Sequence, residues 1–370
     1  MEQWKQPKEN SLEALLHGMN FSDGVEFDLR MANDGSLVIY HDEFVPGSGA
    51  IKERCIENLS SAELKSQGIV PFGDLIAEKV FTESWQYGGK TVDIEFKVPH
   101  PVTRKLVDGY LGSMMSKLED DLEEMDLPEG STLVSSFSPR IFKAAKTSQF
   151  SLPVTRLMPH IRSWGRYWKV KRAVAMPHFA RSSIHGIARY LRKNNTNIMG
   201  IAVEYLSGWT RWINPGVPVG IKGRGRDRLL SALGGMGVFA WPAPLELEEA
   251  LIGSGISLVS DEMDPNVIER PDGGFRWPRP ASQPLEGDWV KRIENSSDGE
   301  RSDLIEEARS SVASWGEIGE KRRRELIIDQ GNKMRWVGSE EKWTDNIGDG
   351  IPWGMSRIIG HRGSGKTHGW

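Results

Sequence analysis

The sequence predicts an α/β protein built as a closed (β/α)8 barrel of the TIM type. Three observations carry this expectation. Short apolar runs alternate with helical patterns along the chain, as parallel strands joined by crossover helices do. Once one hairpin partner is set aside, the runs number about eight, the count that closes such a barrel. Acidic and histidine side chains gather at the ends of several runs, where a barrel carries its chemistry.

The strands expected, in order, are GVEFDLR (24–30), SLVIYHD (36–42), TVDIEFK (91–97), TLVSSF (132–137), VTRLM (154–158), IMGIAVE (198–204), GVFAWPA (237–243), ISLVSD (256–261) and RIIG (357–360). Asn33-Asp34-Gly35 between the first two has tight-turn chemistry, so SLVIYHD folds back on GVEFDLR instead of continuing the parallel order. Helical patterns fill the gaps, as in PRIFKAAKTS (139–148) and LELEEALIGSG (245–255), the latter ending at a glycine stop.

The chain has 370 residues, 26% of them charged, and a net charge of -4, which excludes a generally basic nucleic-acid binder and a disordered acidic chain. Its one cysteine, Cys55, excludes an internal disulfide and a cysteine-rich zinc site and suits a reducing cytosol. The N-terminal stretch lacks the apolar core of a secretion signal, and no run approaches the ~18 apolar residues of a membrane span. A soluble, cytoplasmic protein is expected, peripheral to a membrane at most.

The strand ends hold the chemistry. Residues i and i+2 of a strand share a face, which groups Glu26 with Asp28, and Asp93 with Glu95 and Lys97. His41 and Asp42 directly follow an apolar run. Carboxylates converging at one barrel mouth repel one another unless a hard cation sits among them, so Mg2+ or Ca2+ is the expected cofactor. Solvated strand-end charges paired with Arg30 or Lys97 are the plainer explanation of any single one of them.

The last sixteen residues, MSRIIGHRGSGKTHGW, fit two patterns. From Gly360 to Thr367 they spell the G-x-x-x-x-G-K-T of a phosphate-binding loop. That loop works by opening a helix, and the three residues after Thr367 make less than one turn at ~3.6 residues per turn. The other pattern is an apolar strand delivering His361 and Arg362.

Blocks of the sequence resemble the glycerophosphodiester phosphodiesterase family. They are PKENSLEAL (7–15), DGVEFDLRMANDGSLVIYHDE (23–43), ENLSSAELKSQG (57–68), VPFGDLIA (70–77), VDIEFK (92–97), SSFSPRIFKA (135–144) and LVSDEMD (258–264), and they follow that family's order. The family places its His-Arg-Gly block at the end of the first barrel strand, just before the helix start matched by Glu9-Asn10-Ser11. Here that block is His361-Arg362-Gly363, at the other end of the sequence. The resemblance therefore implies a circularly permuted barrel, cut between the first strand and the first helix. Donation of this strand to a neighbouring molecule and a truncated second copy are the alternatives.

The resemblance implies the site. Glu26, Asp28 and Glu95 correspond to metal ligands, His361 and His41 to an acid–base pair, and Arg362, Lys97 and Trp241 to phosphate and substrate contacts. The implied reaction is metal-dependent hydrolysis of glycerophosphodiesters to sn-glycerol 3-phosphate and an alcohol. One histidine would accept a proton from the nucleophile and the other would donate one to the leaving alkoxide. A cyclic phosphate intermediate and direct attack by water both fit. The loop after His41, HDEFVPGSG (41–49), is shorter than the family's. A sphingomyelinase-D-like phospholipase shares barrel and histidines, but the lone Cys55 argues against it; a non-catalytic phosphate- or lipid-binding barrel is the other alternative.

The expected organisation is a barrel over 1–265, a Pro/Gly-rich linker plus amphipathic helical segment over 266–354, and the completing strand over 355–370. In the middle segment, Ile305, Ala308, Val312, Trp315 and Ile318 recur at helical spacing, and EKRRRELIID (320–329) follows. Between Gly130 and Val203 there are 13 Lys and Arg and no Asp or Glu. Within that stretch, 162–194 interleaves bases with aromatics, which suits an anionic membrane surface. A solvated helical face with its aromatics packed on the barrel accounts for the same composition. Nucleic acid is not an expected partner.

Overall fold

A computed structural model describes residues 4–47, 53–158, 168–212, 216–333 and 355–367. Eight parallel strands form its centre: β1 (Gly24–Met31), β2 (Thr91–Phe96), β3 (Thr132–Ser136), β4 (Val154–Arg156), β5 (Ile198–Ala202), β6 (Gly237–Trp241), β7 (Ser257–Ser260) and β8 (Ile358–Gly360). Their order around the sheet is β4-β3-β2-β1-β8-β7-β6-β5. The seam between β4 and β5 is crossed by Met158 N donating to Gly200 O at 3.2 Å and by Thr155 Oγ1 donating to Ile198 O at 2.7 Å. The sheet is thus a nearly closed TIM barrel ringed by helices.

The last strand fills the slot beside the first. β8 pairs with β7 over Leu258–Ile358, Val259–Ile359 and Ser260–Gly360, and with β1 at Val25–Gly360, parallel in both cases. Strand Leu37–Ile39 pairs antiparallel with β1, as the Asn33-Asp34-Gly35 turn requires, and Gly35 adopts φ +84°.

Both faces of the barrel strands are buried, but they bury different chemistry. Val25, Phe27, Leu29, Val92, Ile94 and Phe96 pack outward against the helices. The intervening Glu26, Asp28, Asp93 and Glu95 turn inward, as the two-residue repeat of a strand dictates. Leu133, Leu157, Phe239 and Val259 fill the interior beside them.

Within 266–354, the Pro/Gly-rich stretch RPDGGFRWPRPASQPLEG (270–287), the part expected as a linker, is packed. Arg276 is fully buried and pairs with Glu248 at 2.9 Å. Ala281 N and Ser282 N donate to the buried Asp23 carboxylate at 3.1 and 2.7 Å, and the same carboxylate accepts from Ile358 N at 3.1 Å. One acid thus fastens this segment and β8 to the start of β1. The amphipathic pattern that follows divides: the helix spans Asp298–Ser311 with Ile305 and Ala308 buried, and ends because Val312 turns extended. Trp315 and Ile318 lie beyond it, and the charged helix spans Glu320–Lys333. The helical pattern over 245–255 likewise divides into a 3-10 turn, Leu245–Leu247, and a short helix, Glu248–Ile252. Among the described residues, no helix is long and apolar enough to cross a membrane.

Candidate active site

Register builds the site. β1 and β2 align Glu26 with Asp93 and Asp28 with Glu95, so four inward carboxylates stand side by side on adjacent strands. Oxygen atoms of Glu26, Asp28 and Glu95 all lie within 4.8 Å of one another, and all three residues are buried. Burial pushes Glu26 well above the ordinary carboxylate range, and Asp28, Glu95 and Asp93 push it further. Burial likewise raises Glu95, against the pull of Lys97. Asp93 rises to about 7, chiefly through burial. Burial opposes ionisation of Asp28 as well, yet Lys97 and Arg362 hold it well below the usual range.

The cations come from two directions. Lys97, just past β2, places Nζ 2.8 Å from Asp28 Oδ1 and 2.5 Å from Glu95 Oε1. Arg362 arrives from β8, with Nε 3.2 Å from Asp28 Oδ2 and Nη1 2.6 Å from Glu9 Oε1. Its backbone N–H donates to Glu26 Oε2 at 2.9 Å. The turn carrying Arg362 is tight: Gly363 has φ +88°, and a Cβ there would lie 2.5 Å from the backbone of Ala14. Only glycine lets the turn lie against the helix Leu12–Phe21.

His361 is buried and points its Nδ1 at Asp261 Oδ1, 2.7 Å away, while Nε2 faces Glu26 Oε2 at 3.8 Å. Burial lowers His361 more than Asp261 raises it, which favours the neutral ring. Asp261 overcomes its own burial through His361 and falls to about 2. His41 is more open, its side chain 37% exposed, with Nδ1 2.8 Å from Asp42 Oδ1. Burial and the Lys97 charge lower it, against the attraction of Asp28. Trp241 lines one cleft together with Glu26, Asp93, Glu95, Phe239 and His361. All eight residues expected at the site therefore converge on the mouth.

Sequence reasoning missed four supporting residues. Glu9 holds Arg362, and Asn10 Nδ2 donates to Asp28 Oδ2 at 2.8 Å. Asp261 orients His361. Arg30 reaches His41 O through Nη2 at 3.0 Å and Val98 O through Nη1 at 3.1 Å, while pairing with Glu57 at 2.9 Å. It thereby anchors the segments that carry His41 and Lys97. The signal for Arg30 was its i+2 spacing from Asp28, and that for Asp261 was its place at the end of the apolar run ISLVSD.

The Gly360–Thr367 stretch is no phosphate loop in the described residues. No helix opens after Gly365; Thr367 N instead donates to Glu9 Oε2 at 2.8 Å, and Lys366 N to Asp261 Oδ1 at 3.0 Å.

Fold and site together define a parallel α/β barrel with an acidic mouth suited to a hard cation and two histidines beside it. The chain belongs to the glycerophosphoryl diester phosphodiesterase family, whose profile matches residues 3–198. No curated protein matches it. Among solved structures, it is similar to a phosphodiesterase of Oleispira antarctica in complex with sn-glycerol-3-phosphate, at 18% identity and a TM-score of 0.45, covering 69% of this chain and 88% of that one. A glycerophosphodiester phosphodiesterase of Thermotoga maritima matches at 14% identity and TM-score 0.44, covering 69% and 89%. One from Parabacteroides distasonis matches at 16% identity and TM-score 0.44, covering 68% and 84%.

Proposed function

We propose that the protein hydrolyses glycerophosphodiesters to sn-glycerol 3-phosphate and an alcohol, with one divalent cation and two histidines. The observation that carries this reading is the convergence of His361 and Arg362 on the Glu26, Asp28 and Glu95 carboxylates. Those three would hold the cation: their oxygens form a close, hard donor set, and their mutual repulsion is what a Mg2+ or Ca2+ ion neutralises. When bound, such an ion supplies Lewis-acid stabilisation of charge on the phosphoryl oxygens.

The chain's own groups do the rest. Lys97 and Arg362 are protonated, face the cluster, and meet the anionic phosphodiester. Asp261 keeps the proton of His361 on Nδ1, which leaves the Nε2 lone pair free to accept one from the nucleophile. An anionic phosphodiester held at Lys97 would offset the charge that lowers His41, so that with substrate bound His41 carries the proton it passes to the leaving alkoxide; each such transfer is worth roughly 10²–10⁴-fold. Trp241 walls the cleft and positions substrate.

The order of elements supports a second part of the proposal: the chain is a circular permutant of the family barrel. β8, carrying His361-Arg362-Gly363, occupies the position that precedes the helix Leu12–Phe21, and Arg362 O accepts from Asn10 N at 3.0 Å. Purified protein with Mg2+ or Ca2+ is expected to release glycerol 3-phosphate from glycerophosphocholine, and EDTA to stop it. Metal-independent turnover, or none with either ion, would overturn the assignment.

A further inference from the structure

Large apolar side chains stand exposed at nine of the described positions, and six of these share one end of the barrel. Val102 and Leu106 lie on the loop after β2, Phe137 follows β3, and Trp209, Trp212 and Val217 lie on the loop after β5. Parallel strands point all their C-terminal ends one way, so these loops form an arc of the mouth itself. The Phe137 ring lies 5.8 Å from that of Trp241, which joins the arc to the cleft.

The exposure is large. Leu106 is 82% exposed, Trp209 69% and Trp212 65%. Each forgoes burial worth ~25 cal/mol per Å² of apolar surface, and an apolar patch gathered at one place marks an interaction surface.

The same loops are basic. Arg104 and Lys105 stand exposed beside Leu106, Arg140 beside Phe137, and Lys222 beyond Val217. The Arg211 guanidinium lies 5.1 Å from the centre of the Trp212 ring. The one acid in the sequence of these three loops, Glu204, is buried; two exposed acids of other connections adjoin the arc, Glu43 at 3.8 Å from His100 and Glu246 in the cleft that Trp209 lines. Asp108, at the start of the helix after β2, is shared by Arg140 and Lys143 and partly offsets their charge. Tryptophan and leucine interleaved with cations suit a boundary between hydrocarbon and phosphate.

We propose that this arc docks the barrel mouth onto an anionic phospholipid bilayer. Trp209, Trp212 and Leu106 enter the headgroup–acyl boundary while Arg104, Lys105 and Lys222 meet lipid phosphates. Resting on the phosphodiesterase reading above, this makes the substrate a phosphodiester presented at a membrane surface, because the docked arc turns the cleft toward lipid. The contact differs from that expected over 162–194, of which 162–167 lie outside the described residues.

The test is sedimentation of the full chain with phosphatidylcholine vesicles and with mixed phosphatidylcholine–phosphatidylglycerol vesicles, at low and high salt, alongside turnover of soluble glycerophosphocholine. The protein is expected to bind the mixed vesicles, to bind the neutral ones weakly, and to be released by salt. The double variants W209A/W212A and R104E/K105E should each lose about tenfold or more in vesicle affinity, with soluble turnover unchanged. Wild-type protein that stays in the supernatant overturns the proposal, as does vesicle binding by both variants equal to that of the parent or retention on single-stranded oligonucleotide in preference to vesicles. The two readings fail separately: vesicle binding with no turnover of soluble or vesicle-borne phosphodiester sinks the phosphodiesterase assignment, and turnover without vesicle binding sinks the docking surface.

Discussion

Nδ1 of His361 lies 2.7 Å from Oδ1 of Asp261, at the end of the neighbouring strand β7. With Asp261 held at about 2, its carboxylate is ionised at any working pH, accepts a hydrogen bond from Nδ1–H and fixes the tautomer. Asp261→Asn can instead offer an N–H to Nδ1, which moves the ring proton to Nε2. Turnover is expected to fall about 10²-fold or more, with KM little changed. Because Asp261 raises the His361 pKa against burial, its loss should also move the acid limb of the rate profile to lower pH. A profile that stays in place would leave Asp261 with a structural role alone.

Glu26 makes the opposite case, a carboxylate whose ionisation works against the fold. Burial and three neighbouring acids raise its folded pKa above the unfolded value. The folded state therefore binds the extra proton, and without metal Glu26 costs stability at neutral pH that is recovered as pH falls. Glu26→Gln should match or exceed the parent in thermal stability in EDTA and lose turnover. Mg2+ should raise the melting temperature of the parent, by about 2.7 kcal/mol of stability at a hundredfold excess over Kd, and leave the variant unmoved. A metal-induced shift that survives the substitution counts against the ligand set.

The carboxylates and Lys97 were legible because a strand's repeat is two, so Glu26/Asp28 and Glu95/Lys97 had to share faces. What no single strand reveals is which strands are neighbours, and it is the β1–β2 register that places Asp28 beside Glu95. Glu9 and Asn10 were visible only as a helix start. Asn10 in fact takes φ +56°, which carries its amide to Asp28. Composition misled over 270–287, since Pro and Gly mark turns without saying whether the turns are packed. There, Arg276 and the Asp23 anchor pack them against the barrel.

Lys90 offers a stability test away from the mouth. Its amine is buried, one residue before β2, and donates to Ser22 O, and burial, with Arg279 and Arg357 nearby, pushes it down to about 7. An unfolded lysine titrates near ~10.4. Below pH 7 the folded chain bears the full cost of burying the charge. Between pH 7 and about 10 the unfolded chain keeps a proton that the folded one has released, so the cost shrinks as pH rises. Lys90→Met should therefore raise the urea midpoint at pH 7, and its advantage over the parent should narrow by pH 9. An advantage that is constant with pH would show that the amine is charged in the fold.

The last expectation concerns chain order. β8 is hydrogen-bonded on both sides, and Gln6 Nε2 donates to Ser364 O at 2.9 Å while Thr367 N donates to Glu9 Oε2 at 2.8 Å, so residues 6–10 and 362–367 lie together. Deleting 356–370 strips a central strand from between β1 and β7 and removes His361 and Arg362 at once. It should yield insoluble or loosely packed protein. His361→Ala should spare the fold, since its side chain lies at a strand end, yet cost at least ~10²-fold in rate. The permutation itself is tested by joining Trp370 to Met1 through a short glycine-rich linker and opening the chain in the exposed turn between Glu294 and Asp298. Residues 6–10 and 362–367 lie together, so a linker between the ends that lead from them and a cut at a surface turn leave the core contacts intact. The rearranged chain should purify as folded protein and keep the parent's kcat/KM within about threefold, a difference of well under 1 kcal/mol. If it folds but is inactive while the parent turns over glycerophosphocholine, then β8 does not complete its own barrel in the way its pairing with β1 and β7 requires.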